Sequence, residues 1–190
     1  RLVGPATLTY PSEEAPPRRV TLAEGRAFFD VQHREDASFV VETPTASATV
    51  LGTQFGVTTR ADTTEVVLAN GSVRVSDAEG LRTVVLEPGQ HSRVAKSEAP
   101  TTPKPVDLTG TLDWTGLFVF RTMSLDTIVD RLNRHYDAQI TVAESLAGEA
   151  VTGTFEREQP VEEVLGALAA TLGAKVQDAG DDQYRLVPAP

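Results

Sequence analysis

The side chains able to carry chemistry in this 190-residue chain are few and scattered. There are three histidines, His33, His91 and His135, no cysteine, and carboxylates that stand singly or as adjacent pairs such as Glu162/Glu163 and Asp181/Asp182. A metal site would need histidines and carboxylates at regular close spacing, and no histidine lies in an H-x-H, H-x3-H or H-E-x-x-H arrangement. Lack of cysteine removes thiolate nucleophiles, disulfides and cysteine-held zinc together. Adjacent carboxylates on a helix do not face each other, so Glu162/Glu163 suits a helix dipole better than acid–base work. The stretch "GTQFG", residues 52–56, has glycines only at its ends and no lysine, so it is no phosphate cradle, and no G-x-S-x-G elbow occurs. The chain therefore reads as a non-enzyme with no catalytic, metal or cofactor-binding residue. The rival, an enzyme on the β-rich half, requires His33 and His91 or carboxylates turned inward around a cavity.

What remains is binding. The net charge is −10, and without a Lys/Arg cluster the chain has no footprint for nucleic acid. Residues 1–105 carry 11 basic and 13 acidic side chains, residues 106–190 carry 6 and 14, so a basic partner is steered toward the second half. No run of about 18 apolar residues spans a bilayer. The chain opens on Arg1 rather than Met, which predicts a fragment with any targeting or membrane segment upstream.

Two regions with different periods must position any such surface. From Val20 to Val94 apolar residues alternate: Val20/Leu22, Phe29/Val31, Phe39/Val41, Ala48/Val50, Phe55/Val57, Val66/Leu68, Val73/Val75 and Val84/Leu86. Period 2 in β-branched and aromatic residues predicts half-buried strands. Turn chemistry separates them at Glu24-Gly25, Thr43-Pro44, Asn70-Gly71 and Pro88-Gly89, and "VVLANGSVRV" predicts a tight Asn-Gly hairpin. In "VLGTQFGV", residues 50–57, Gly52 allows a bend or close approach and Thr53 suits a hydrogen bond to the backbone there. These features predict an all-β domain over 1–95, either a β-sandwich or a short solenoid-like stack. A Pro-rich linker is expected over 96–113, and Trp114 is expected to anchor packing where the next domain begins.

Beyond it, "SLDTIVDRLNRHY" sets Leu125, Ile128, Val129, Leu132 and Tyr136 on one helical stripe, with Ser124 as N-cap. "QPVEEVLGALAATLG" repeats the pattern with Val161, Val164, Leu165, Leu168 and Leu172, from Pro160 to Gly173. A shift of 36 residues superposes the two without a gap, Leu125 on Val161 and Ile140 on Val176. The region 114–190 is therefore expected to be a small α+β domain of duplicated β-α-β units, with strands at 117–121, 139–143, 151–156, 174–177 and 183–187.

In order, the segments "RVTLAEGRAFFDV", "FVVET", "VLGTQF", "LANGSVRV" and "LEPGQ", within a run that starts at "LTYP", resemble the FecR family of transmembrane sigma-factor regulators. The second half is similar to that family's C-terminal region, which resembles the STN domain of secretins and TonB-dependent receptors. The resemblance implies the periplasmic part of a single-pass inner-membrane protein. Its partner would be the periplasmic signalling domain of a TonB-dependent outer-membrane receptor. An extracytoplasmic-function sigma factor would be reached only through a cytoplasmic part, and the membrane only through a helix, both outside these residues. Strand addition at a sheet edge is the expected mode, at Val151, Thr152, Gly153, Thr154, Phe155 and Glu156, with Glu156, Glu158, Glu162 and Glu163 to steer a basic partner. The alternative is an STN-type envelope scaffold without sigma signalling.

Overall fold

A computed structural model describes residues 2–9, 18–34 and 37–189. The expected family-like stretch over 10–17 lies outside the described residues. The chain divides into two compact units, Arg1–Thr115 and Gly116–Pro190.

The first unit is built on one sheet of ten strands: β1 (Leu2–Thr9), β2 (Arg18–Val31), β3 (Phe39–Glu42), β4 (Ala46–Val50), β5 (Thr53–Arg60), β6 (Thr63–Asn70), β7 (Val73–Asp77), β8 (Thr83–Leu86), β9 (Gln90–Ala95) and β10 (Lys104–Pro105). The hydrogen-bonded order is β10-β9-β6-β5-β2-β3-β4-β7-β8, with β1 also on β2. The inward residues of both arms of this order share one core, among them Val20, Leu22, Val41, Ala48, Val50, Phe55, Val57, Val66, Leu68, Val73, Val75 and Leu86. Phe29, Val31, Phe39 and Val84 pack at its margin. The sheet is thus a single curled ladder, which replaces both the two-sheet sandwich and the solenoid stack expected from the alternation.

The curl depends on β2, which is long enough to serve both arms. Its first residues pair in parallel with β3, Arg18↔Phe39 to Thr21↔Glu42, and its later ones antiparallel with β5, Gly25↔Thr59 to Val31↔Thr53. Between them Gly25 takes φ +102, and a Cβ there would sit 2.6 Å from the Pro5 carbonyl oxygen and from the Ala6 Cβ. Glu24-Gly25 is therefore a kink within one strand, not a turn between two. Asn70-Gly71 likewise closes no hairpin: β6 pairs with β5 and β9, β7 with β4 and β8. Only Gly71 of the two has positive φ, and it is pressed to Gly52 and Thr53, with the Gly52 carbonyl oxygen 2.6 Å from where a Cβ would lie. The tight hairpin falls instead between β5 and β6, where Arg60 faces Thr63 and Ala61 has φ 44.

The expected linker over 96–113 is packed on this unit. The Thr101 N–H donates to the Arg93 carbonyl at 2.8 Å, the Val106 N–H to the Gly89 carbonyl at 2.9 Å, and β10 pairs with β9. Proline is tolerated in such an edge strand because the edge needs no N–H there. Helix α1 (Leu108–Thr111), its N-cap Asp107 accepting from the N–H groups of Thr109 and Gly110, buries Leu108; Leu112 is buried just after it. The short 3-10 turn Asp113–Thr115 then places Trp114, half-buried, over β5 at Gly56, where a Cβ would meet Leu112 at 2.8 Å and Trp114 at 3.4 Å.

The second unit runs β11 (Leu117–Ser124), α2 (Leu125–Tyr136), β12 (Gln139–Val142), α3 (Glu144–Ala147), β13 (Ala150–Glu156), α4 (Val161–Leu172), β14 (Ala174–Gly180) and β15 (Gln183–Pro188). Its strands form two small sheets, β11-β13 and β12-β15-β14. The helix stripes read from the sequence are buried at Leu125, Ile128, Val129, Leu132, Val161, Val164, Leu165 and Leu168 against Phe118, Phe120, Ile140 and Leu186. The two long helices end alike, Asp137 at φ 53 and Gly173 at φ 61, the left-handed stop that frees the chain to re-enter a strand. Ser124 occupies the N-cap position of α2 without bonding a backbone N–H; its hydroxyl lies 2.9 Å from the Thr127 hydroxyl.

Candidate partner-binding edge

Strand β13 forms because Val151, Thr152, Thr154 and Phe155 favour extended backbone and one side of it has a core to cover. Val151 is buried, and Phe155 packs at the core margin with its ring 6.1 Å from that of Phe120. Thr152, Thr154 and Glu156 alternate onto the opposite face. Pairing with β11 sets which main-chain groups remain outward. Phe155 faces Phe118, Gly153 faces Phe120, and one step past the strand the Arg157 N–H donates to the Gly116 carbonyl at 3.0 Å. In an antiparallel ladder this phase turns the peptide groups of Phe155 and Gly153 toward β11, and those of Thr152, Thr154 and Glu156 away from it.

Gln159 covers the last of these, accepting from the Glu156 N–H through its side-chain oxygen at 3.0 Å and donating its own N–H to the Glu156 carbonyl at 3.2 Å. Among the described residues no strand pairs along the outer side of β13. The other members of the small sheets, β11, β12 and β14, also have only one strand neighbour each. Among the described residues β13 is thus one of four strands of this unit with a single strand neighbour.

Its lower end is clamped by α2. The His135 ring nitrogen Nε2 donates to the Arg157 carbonyl at 2.9 Å, the Tyr136 hydroxyl donates to the Gln159 carbonyl at 2.8 Å, and the Arg157 guanidinium lies 5.0 Å from the centre of the Phe118 ring. Burial raises the Tyr136 hydroxyl above the ordinary tyrosine value, with the Glu162 charge adding to it. Glu156, Glu158, Glu162 and Glu163 are exposed at the turn and the start of α4. Glu162 is committed locally: the Tyr184 hydroxyl donates to it at 2.7 Å. That bond lowers the carboxyl and, reinforced by burial, pushes Tyr184 up to about 12. Glu162 is therefore less available to an approaching group than its exposed neighbour Glu163.

The remaining chemically capable residues stay apart. His91 Nδ1 is 2.7 Å from Glu65 Oε1 in the first unit, and His33 is exposed beside Gly52. Among the described residues no three His, Asp or Glu side chains converge as metal ligands, and no helix is long and apolar enough to cross a membrane. Gly52 and Thr53 serve the joint itself: a Cβ on Gly52 would lie 2.5 Å from His33, and the buried Thr53 hydroxyl donates to the Ser72 carbonyl at 2.9 Å.

Two family models match the chain, FecR protein over residues 2–74 and the FecR C-terminal region over residues 117–184. The second match begins one residue after the second unit does. Two crystal structures of a candidate anti-sigma factor from Parabacteroides distasonis ATCC 8503, at 1.65 and 2.50 Å resolution, share the fold. Each has a TM-score of 0.53 and 24% identity, over all of this chain and 89% of that one. No curated protein matches in sequence.

Proposed function

Because the chain belongs to the FecR family, we propose that it is the periplasmic signal-receiving region of a membrane-anchored sigma-factor regulator. It acts by binding, without a catalytic step. Residues 116–190 dock the periplasmic signalling domain of a TonB-dependent outer-membrane receptor, and control of an extracytoplasmic-function sigma factor is exerted through the cytoplasmic part of the full protein. In this reading the second unit is a duplicated β-α-β domain of STN type. The 36-residue offset supports it by carrying the first residue of α2 onto the first of α4, and Asp137 onto Gly173.

The observation that carries the docking mode is the outer side of β13. The outward peptide group of Thr152 starts a template for one more strand, and the exposed Glu156 and Glu163 favour a partner whose added strand is flanked by Lys or Arg. Calorimetric titration of the chain with the receptor's signalling domain tests it. Thr152→Pro removes an outward N–H and leaves the main-chain ladder to β11, losing there only the bond that the Thr152 hydroxyl accepts from the Thr122 N–H at 2.9 Å, so it abolishes capture and preserves the helical circular dichroism. Undiminished binding by a folded Thr152→Pro chain refutes the β13 mode and moves the contact to another edge. Self-association without receptor binding supports the scaffold alternative instead.

A further inference from the structure

The outer face of the first unit's sheet holds a groove of about 550 Å³, within the roughly 300–1,000 Å³ range of small-ligand sites. Its floor follows from strand register. Arg26, Thr58, Glu65 and Arg93 stand opposite one another across β2, β5, β6 and β9, and Arg60 opposite Thr63 forms the next row. All lie on the face away from the core, since their neighbours Ala27, Val57, Val66 and Val94 are buried. Residues 110–114 form the wall, seated through Leu112 and Trp114 at Gly56, the one floor position where a side chain would collide with them.

Three arginines therefore meet in one concavity of a chain whose net charge is −10. Glu65 holds Arg93 by Nε at 3.0 Å and His91 at 2.7 Å, leaving the Arg93 terminal nitrogens on the far rim. The Arg26 guanidinium lies 5.8 Å from the centre of the Trp114 ring, which orients it. Arg60 makes no ion pair among the described residues, and it is the diagonal neighbour of Arg26 across β2 and β5, roughly 7–8 Å away in such a ladder. Two long guanidinium side chains at that spacing reach a single oxyanion, and their fork geometry fits carboxylate or phosphate.

We propose that this groove binds a small organic anion, presenting a carboxylate or phosphate to Arg26 and Arg60, with Arg93 on the opposite rim. The anion's apolar ring or chain lies against Leu112 and Trp114. The first unit would then take a small-molecule input independent of the β13 edge. Calorimetric titration of the whole chain with phenyl phosphate, benzoate and neutral phenol tests it, the two anions telling which oxyanion is preferred.

The expected result is saturable binding of at least one anion, about tenfold or more tighter than phenol. Arg60→Ala and Arg26→Ala should each weaken it by about tenfold, and Arg185→Ala in the second unit should leave it unchanged. Arg60 is exposed, and an unaltered thermal midpoint by Trp114 fluorescence shows that its variant is folded. Phenol binding as tightly as the anions, an affinity unmoved by Arg60→Ala, or no saturation up to about 10 mM overturns the proposal.

Discussion

Gly25→Ala tests how the first unit curls. At φ +102 an L side chain is strained by roughly 1–2 kcal/mol, and the new Cβ would also stand 2.6 Å from the Pro5 carbonyl oxygen and the Ala6 Cβ. Backbone cannot rotate aside as a flexible side chain would, so β1 must shift, at a further cost of about 1–3 kcal/mol. The sum, roughly 2–5 kcal/mol, is a large part of the ~5–15 kcal/mol typical of a domain. Gly80→Ala separates the two contributions, because Gly80 has φ +72 with nothing within 4 Å and should incur only the strain.

The chain's sole tryptophan, Trp114, lies in the first unit, while the long helices α2 and α4 lie in the second. Urea unfolding followed by tryptophan fluorescence thus reports the first unit, and helical circular dichroism the second. With a urea slope of about 2 kcal/mol per molar, the middle of the usual range, Gly25→Ala should lower the fluorescence midpoint by roughly 1–2.5 M, clearly more than Gly80→Ala does. Equal shifts in the two variants, or no shift in Gly25→Ala, would show that the kink tolerates a side chain and refute the account of β2 as a strand bent by glycine.

Two predictions concern pH. The Arg82 side chain, with the N–H groups of Leu81 and Arg82, holds the buried Asp77 carboxyl below its ordinary 3.8 despite burial. A lowered carboxyl stabilises the fold above its unfolded value and loses that contribution as pH falls through the folded one. The Trp114-monitored midpoint should therefore drop below about pH 4, and Asp77→Asn should flatten that drop; an unchanged acid limb in Asp77→Asn would exclude Asp77 as its source. Tyr184, raised to about 12 by the Glu162 carboxylate, stabilises the fold below the ordinary tyrosine value of 10.0 and ceases to do so as pH rises through 12. Glu162→Ala should bring one phenolate transition down toward 10.0 in an absorbance titration, and a titration curve identical to the parent's would show that Glu162 does not set it.

Local rules served best where one residue's periodicity decides its environment. The apolar alternation named the core of the first unit because a strand has only two faces, and the stripes of α2 and α4 named the core of the second. Turn chemistry served less well. Asn70-Gly71 carries the local preference for a hairpin, yet its glycine is used for close approach to Gly52, whereas the actual hairpin at Ala61-Asp62 contains no Gly or Asn. The prolines of 96–113 suggested a tether because proline opposes regular pairing, but a sheet's outer strand makes no demand on the missing N–H.

For the candidate edge, the sequence by itself determined that Val151–Glu156 is a strand and that acidic residues follow it, and the structure added that Val151 faces inward. The ladder with β11 decided that the peptide groups of Thr152 and Thr154 point outward, and Gln159 decided that those of Glu156 are covered. The groove shows the same division more sharply. Arg26, Arg60 and Arg93 are separated by 34 and 33 positions, and no spacing rule links them. They meet because strand register is set by the burial of Ala27, Val57, Val66 and Val94 on the other face. A sequence specifies which side of each strand a residue takes, but which strands become neighbours is settled only by the closing of a shared core.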